Sequence, residues 1–564
     1  MTTKRPFNEG KRHFKKNKKQ KITTISDGSN EEVLLADVRR LLKDVSLTGK
    51  DAVEPTLPAQ WSEVELSITE ISSTGDGLAL KDGQVYVVPF TSPGDFVTAK
   101  VVRHAAEAPY TITDFVKVSA PSQHRTETPK CPYFTRCSGC QFQHLSYEYQ
   151  LAHKRSVVEK AYQNFSNLPA SVLPRVGDTI GSPLQYGYRT KLTPHFDGPP
   201  GGRRDKRNGV KVTWPEVPPI GFMLKGTRKT MDIEECPIGT PAVQAGLKRE
   251  RARVIADITQ YQKGATLLLR ESTTRAKRDA TKDEAPNEVK REDDADVIVE
   301  ESDKHIDRKI CTSDHKSTST EYIDDYRLDN PAGAFFQNNN SILPLVTKYI
   351  RENILAPRID DDPQSVPQIK NMIDAYCGSG FFTITLSSLF SHSIGIDISA
   401  QSIDFASRNA TLNNLPANST NFIAADANDL FASIDTAKFP ARETVVVIDP
   451  PRKGCDQGFI RQLMAYGPER VCYVSCNVHT QARDVGWLVG GLAGEEGLML
   501  EGMYEIESLR GFDFFPQTSH VEGVAILRKK KNGASVESQE ESKSETVDAI
   551  ADGQSTGEVA STTG

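Results

Sequence analysis

Between Trp61 and Ala120 apolar and polar residues alternate in short runs: VELSITEISS, GLALKDGQVYVVPF, DFVTAKVVR and TITDFVKVSA. Turn residues at Gly75–Gly77, Asp82–Gly83 and Pro93–Gly94 cut the runs apart. Period-two alternation in pieces about ten residues apart predicts short strands closing into a small β-barrel. Upstream, in EEVLLADVRRLLKDV, Leu34, Val38, Leu41, Leu42 and Val45 fall at helical spacing and predict one amphipathic helix. Past Asp329 the pattern changes. MIDAYC, SIGIDI, NFIAAD, TVVVIDPP, VCYVSC and VAIL are short apolar runs, with helix-period segments such as 400–413 between several of them. Repeated βα units predict an α/β fold with a doubly wound parallel sheet and ligands at the carboxyl ends of its strands. Residues 271–320 show almost no apolar periodicity and predict a disordered insertion.

The 564 residues are too many for one core and suggest about three or four folded units. The pattern divides them into a basic disordered head with one helix (1–55), the barrel (56–120), a mixed α+β central domain (121–328) that carries the insertion, the doubly wound domain (329–528) and a low-complexity tail (529–564). Net charge is only −6, but it is unevenly spread: residues 1–22 hold nine Lys/Arg and one acid, Glu9. The run KKNKKQK could bind RNA or an importin, or be a solvated tail. No apolar run reaches the roughly 18 residues of a membrane span, and no secretory signal precedes the helix. A soluble intracellular protein is expected, with nucleus, cytoplasm and mitochondrion all compatible. Nine cysteines without a secretory signal point to metal ligands or catalysts rather than disulfides.

The strand-to-helix turn DAYCGSGF places Gly378 and Gly380 where the backbone can approach a ligand closely. Tyr376 and Cys377 fill its first turn, so it is not a dinucleotide fingerprint. Asp397 ends the next strand and could accept both ribose hydroxyls of an adenosine. Asp426 follows a third strand and could meet the adenine edge. Three strand ends in series fit S-adenosylmethionine better than NAD; an α/β sheet with capping acids and no cofactor is the alternative. Another strand stops at Asp449-Pro450-Pro451-Arg452, where the prolines stiffen the loop. Asp449 and Arg452 could read the polar edge of a flipped base, or form a surface ion pair. Asp-Pro-Pro also fits enzymes that methylate adenine or guanine amino groups.

VCYVSCN separates these chemistries. Cys472 lies within its strand and is expected in the core, whereas Cys476 lies at the carboxyl end, where a helix start or an arginine can lower its pKa. Glu522 precedes the last strand. Carbon 5 of uracil is too weak a nucleophile unaided. A thiolate adding at carbon 6 activates it, and a base must then remove the carbon-5 proton. The alternatives are a buried small hydrophobe for Cys476 and a surface acid for Glu522. Finally, Cys131, Cys137 and Cys140 form C-x5-C-x2-C, and Cys236 could supply a fourth thiolate. Spacing leaves an iron–sulfur cluster, a structural zinc and metal-free thiols open.

Taken in order, CPYFTRCSGCQFQHLSYEYQLAHK, YRTKL, GFMLKGTRKTMDIEECPI, AFFQNNN, DAYCGSGFF, IDPPRKG, SCN and FPQTSHVE resemble the RNA uracil-5-methyltransferases over roughly residues 60–528. The resemblance implies a TRAM-like (OB-like) RNA-binding barrel and an S-adenosylmethionine-dependent methyltransferase domain. It makes Cys476 the nucleophile and Glu522 the base. Gln337, Tyr376, Asp397, Asp426 and Asp449 match cofactor-pocket or active-site positions. Phe335 matches an aromatic that stacks near the target base, and Arg452 a residue near the flipped uracil. Cys131, Cys137, Cys140 and Cys236 match the ligands of the [4Fe–4S] cluster in the bacterial rRNA branch. Ser138, Phe381 and Gln517 depart from the family pattern, standing where Gly, Asn and His are common. The Lys-rich head and polar insertion look eukaryotic, which makes tRNA the implied partner and uridine 54 of the T loop the implied target. An rRNA enzyme is the alternative within the class, and a catalytically silent RNA-binding or RNA-folding factor the alternative outside it.

Overall fold

The computed structural model describes residues 28–46, 57–106, 108–199, 213–278, 296–357, 368–426, 430–493 and 499–531. The basic run of the head, the middle of the insertion (279–295) and nearly all of the tail lie outside the described residues. The expected amphipathic helix runs Asn30–Ser46 and lays Leu34 and Val38 against Leu78, Val85 and Val87 of the barrel.

Six strands form the barrel sheet: Glu63–Ser67, Glu70–Ile71, Gly77–Lys81, Gln84–Val88, Phe96–His104 and Tyr110–Ala120. In spatial order they run first, fifth, sixth, fourth, third, second. The two edge strands are therefore consecutive in the chain, joined only through Ile68 and Thr69. That short connection brings the edges together and curls the sheet around Leu66, Ile68, Ala79, Tyr86, Val88, Val97 and Ala99. Closure removes unpaired edges.

The mixed region after the barrel contains the helix Tyr147–Phe165, the helix Pro241–Asp257 and two four-stranded sheets. Here one expectation is corrected. Residues 271–320 are not structureless where they are described. Leu269–Lys277 pairs with His305–Thr312, which also pairs with Ile298–Glu301, and Thr318–Ile323 pairs with Tyr326–Pro331. The faces these strands bury carry polar residues, Glu271, Thr273, Ser319 and Glu321 among them, so the apolar alternation that marks a half-buried strand is missing. Cross-strand ion pairs take its place: Arg275 with Asp307 at 2.8 Å and Lys309 with Glu300 at 2.6 Å.

The large sheet holds eight strands, numbered here in chain order: β1 Gly177–Ile180, β2 Asn371–Ala375, β3 His392–Asp397, β4 Thr420–Ala424, β5 Thr444–Ile448, β6 Arg470–Ser475, β7 Tyr504–Phe512 and β8 Glu522–Lys529. Their order is β4-β3-β2-β5-β6-β8-β7-β1. β2 through β6 run parallel, whereas β8 is antiparallel to both β6 and β7. The residues of β2 and β5 are buried throughout because apolar clusters cover both faces of the sheet. The strand order reverses between β2 and β5, so the crevice for ligands opens there, beyond the carboxyl ends. Because β8 is antiparallel, its first residue lies beside the last residues of β6, with Ser475 paired to Gly523. Among the described residues no helix is long and apolar enough to cross a membrane.

Candidate active site

The turn after β2 is built to leave space. Tyr376, Gly378 and Gly380 adopt φ of 64°, 55° and 91°. Two of the three are glycine, as this left-handed region favours. A side-chain carbon added at Gly378 would meet nothing within 4 Å, so the backbone there borders open space. The Asp397 carboxylate, at the end of β3, accepts the Gly378 N–H at 3.0 Å and the Ser399 N–H at 2.8 Å. It thus locks the glycine turn to the neighbouring strand end while remaining partly exposed. Behind them Asp374 is fully buried. One of its oxygens takes the Thr383 N–H at 2.8 Å and hydroxyl at 2.6 Å, and the other has no partner. Burial and the nearby Asp397 charge push its pKa to about 7. Asp426 lies just past β4, exposed, further along the same edge.

Tyr376 packs against Phe459, ring centroids 5.5 Å apart. The loop after β5 is pinned at several points. The Asp449 N–H donates to Ala375 O at 3.4 Å. The Arg452 carbonyl accepts from Asn477 Nδ2 at 3.0 Å and from the Thr480 hydroxyl at 3.1 Å. Asn477 also caps the helix Val478–Gly490 through its side-chain oxygen.

Three adjacent strand ends bring the reactive groups together: Asp449 follows β5, Cys476 follows β6 and Glu522 opens β8. The Cys476 thiol lies within electrostatic reach of Arg452, Glu522 and Asp449. An arginine does lower the thiol pKa, but other influences outweigh it. Burial, with Glu522 and Asp449 adding to it, pushes Cys476 up to about 12, although the Arg452 charge pulls the other way. Glu522 is 3% exposed, and burial, reinforced by Asp449, raises its carboxyl well above the usual range. Asp449 itself is raised to about 7, by burial and then by Asp374. All three groups are thus biased toward their protonated forms. Cys472, by contrast, is fully buried within β6, as expected.

Phe335 and Gln337 come from a separate loop. Phe335 is 76% exposed beside the buried Phe336, which packs on Phe381 at 6.1 Å. Gln337 is buried. Lys191, from YRTKL, donates to Ala334 O at 2.9 Å, and Arg270 reaches Asn338 at 3.3 Å, so the loop is fixed from the central domain. Asn477, Lys191 and Asp374 had no assigned part in the sequence reading. The capping position of Asn477 was its only local signal.

Cys131, Cys137, Cys140 and Cys236 are half-buried free thiols in one neighbourhood: Cys140 and Cys236 each feel other members of the group, and burial pushes both to about 12. Nevertheless, among the described residues no group of three or more His, Cys, Asp or Glu converges as a metal ion requires.

Residues 364–530 match the family described as tRNA (Uracil-5-)-methyltransferase, and residues 60–106 match the TRAM domain. The chain is 43% identical over 527 residues to the tRNA (uracil(54)-C(5))-methyltransferase of Schizosaccharomyces pombe, covering 92% of this chain and 87% of that protein. It is 40% identical to the protein of the same name from Saccharomyces cerevisiae, covering 89% and 79%. In fold it resembles the crystal structure of Pyrococcus abyssi tRNA (uracil-54, C5)-methyltransferase in complex with S-adenosyl-L-homocysteine. That likeness has a TM-score of 0.55 at 22% identity, and covers 82% of this chain and all of the other.

Proposed function

Because this chain belongs to the tRNA (uracil-5-)-methyltransferase family, we propose that it methylates carbon 5 of uridine 54 in the tRNA T loop through a covalent bond from Cys476. The observation that carries the reading is the meeting of Cys476, Glu522, Asp449 and Arg452 at three neighbouring strand ends. S-adenosylmethionine, when bound, supplies an electrophilic sulfonium methyl group. The glycine turn, with its open space at Gly378 and the buried unpartnered oxygen of Asp374, suits a small polar ligand. Tyr376, Asp397, Asp426 and Gln337 would hold it.

In the reaction Cys476, as thiolate, adds to carbon 6 of uracil, and the displaced electron pair moves toward the carbonyl at carbon 4. Carbon 5 becomes nucleophilic and takes the methyl group, whose bond to the sulfonium would break with its electron pair left on sulfur as a neutral thioether. Glu522, as carboxylate, then removes the carbon-5 proton. The freed pair restores the carbon 5–carbon 6 double bond, the bond to sulfur breaks and the thiolate leaves. Arg452, whose charge lowers the thiol pKa, favours the thiolate at both ends of this cycle. Phe335, exposed on a fixed loop, offers a ring on which the flipped base can stack.

The protonation states set a pH dependence. Cys476 and Glu522 are both raised, and both act in their deprotonated forms. Below a raised pKa the active form gains population as pH rises. The value of kcat/KM is expected to climb steadily from about pH 6.5 to 9. Arg452→Ala should depress the whole profile, since it removes the one influence that lowers the thiol pKa. A flat wild-type profile over that range would contradict this proton inventory.

Unmodified tRNA and rRNA transcripts, incubated with methyl-labelled S-adenosylmethionine and analysed as nucleosides, test the function. Label in 5-methyluridine at position 54 of tRNA is expected. Label only in rRNA would move the substrate, and no incorporation would point to an RNA-binding factor without catalysis.

The finer cofactor reading is a [4Fe–4S] cluster on Cys131, Cys137, Cys140 and Cys236. Its support is that two distant chain segments bring Cys131, Cys137 and Cys236 within electrostatic reach of Cys140. Protein purified without oxygen is expected to contain iron and sulfide with broad visible absorption. Stoichiometric zinc would replace that reading, and fully active metal-free protein would remove it.

A further inference from the structure

The loop that leads into Glu522 is held from outside the methyltransferase sheet. Gln517 is 3% exposed and adopts a φ of 71°, a conformation that costs a non-glycine residue energy unless its surroundings enforce it. Here they do. Its N–H donates to Gln150 Oε1 at 3.0 Å, and its side-chain oxygen accepts from Gln150 Nε2 at 3.2 Å. Its carbonyl accepts the N–H groups of Gln141 at 2.7 Å and Phe142 at 3.0 Å. Further along the loop, the Ser519 N–H donates to Gln141 Oε1 at 3.1 Å. Gln141 Nε2 in turn donates to Thr74 O at 2.8 Å, a carbonyl that also accepts the Ser519 hydroxyl at 3.0 Å.

Thr74 belongs to a turn of the barrel, and Gln141 adjoins Cys140. One side chain therefore ties the barrel, the cysteine loop and the Glu522 loop together. The junction has no slack. A side-chain carbon on Gly75, at φ 90°, would stand 2.4 Å from Gln141 Nε2 and 2.7 Å from Ser519 Cβ.

We propose that Gln141 is a positioning residue for proton removal. It holds Ser519, and so the loop carrying Glu522, in register with carbon 5 of the bound uracil. Its bond to Thr74 makes that alignment depend on a seated barrel. A barrel that engages RNA then stabilises the catalytic geometry as well as the complex. The inference rests on Glu522 being the base, as proposed above. Misplacing a base by about 1 Å can cost on the order of 100-fold in rate. Loss of the Gln141 side chain acts on elimination, after methyl transfer, and so leaves a covalent species behind.

The test uses full-length protein, unmodified tRNA and methyl-labelled S-adenosylmethionine, with wild type, Gln141→Ala, Gln141→Glu, Gly75→Ala and Glu522→Gln side by side. For Gln141→Ala, kcat should fall about 10- to 100-fold with KM for S-adenosylmethionine unchanged, and labelled RNA–protein adduct should accumulate. Gln141→Glu keeps the acceptor for the Ser519 N–H but sets a carboxylate oxygen against the Thr74 carbonyl in place of the Nε2 donor, so it should lose turnover and build up adduct as Gln141→Ala does. Gly75→Ala wedges the same junction from the barrel side and should also build up adduct, which guards against a folding defect peculiar to one variant. Wild-type turnover in Gln141→Ala, or a loss expressed only as a higher KM for RNA without adduct, overturns the proposal. Glu522→Gln separates the two levels. If it traps adduct and Gln141→Ala does not, the positioning role alone falls; if neither does, the assignment of Glu522 falls and takes this inference with it.

Discussion

Replacing Cys476 with alanine is expected to abolish methyl transfer, a loss on the order of 10⁴-fold or more, the scale seen when a covalent nucleophile is removed. Carbon 5 of uracil has no other route to nucleophilicity in this site, because its activation depends on a bond at carbon 6. Binding should survive. Cys476 sits past the end of β6, outside both apolar clusters of the sheet, and the glycine turn at Gly378 belongs to a different strand end. Filter binding of tRNA and equilibrium binding of S-adenosylmethionine should therefore stay near wild type. Cys476→Ser should fail too, since a hydroxyl at neutral pH is a far weaker nucleophile than a thiolate. Measurable multiple turnover by Cys476→Ala would end the covalent mechanism.

Glu522→Gln is expected to have the second-largest effect and a different signature. The amide keeps the size and hydrogen-bonding capacity of the acid but loses its basicity. Cys476 should still add and the methyl group should still transfer. Elimination should stall, with turnover falling by about 10²- to 10⁴-fold, the usual contribution of a general base. Methylated RNA joined to protein should accumulate, survive denaturing electrophoresis and carry methyl label. Wild type should show far less of it. A variant that neither methylates nor crosslinks would place Glu522 earlier, in binding or activating the uracil.

Much of this was readable along the chain because it is local. Periodicity distinguished the barrel strands from the βα units. Strand-end logic separated Cys476 from Cys472, which differ only in whether the strand has ended. The strands within 271–320 were not readable, because ion pairs such as Arg275–Asp307, rather than an apolar face, line them. The net direction of the thiol pKa was not readable, for a non-local reason. Arg452 favours a thiolate, but burial together with Glu522 and Asp449 outweighs it. These acids come from other strands and meet the thiol only in the folded sheet. The Gln141 junction is more remote still. It joins the barrel turn, the cysteine loop and the stretch before β8, and a glutamine carries no periodic signal.

Mass analysis of the species trapped by Glu522→Gln tests the central claim most directly. After protease and nuclease digestion, the Cys476 peptide should carry a uridine nucleotide bearing one added methyl group, derived from position 54 of tRNA. An adduct on another residue, an unmethylated nucleotide on Cys476, or labelled 5-methyluridine formed by Cys476→Ala would each contradict it.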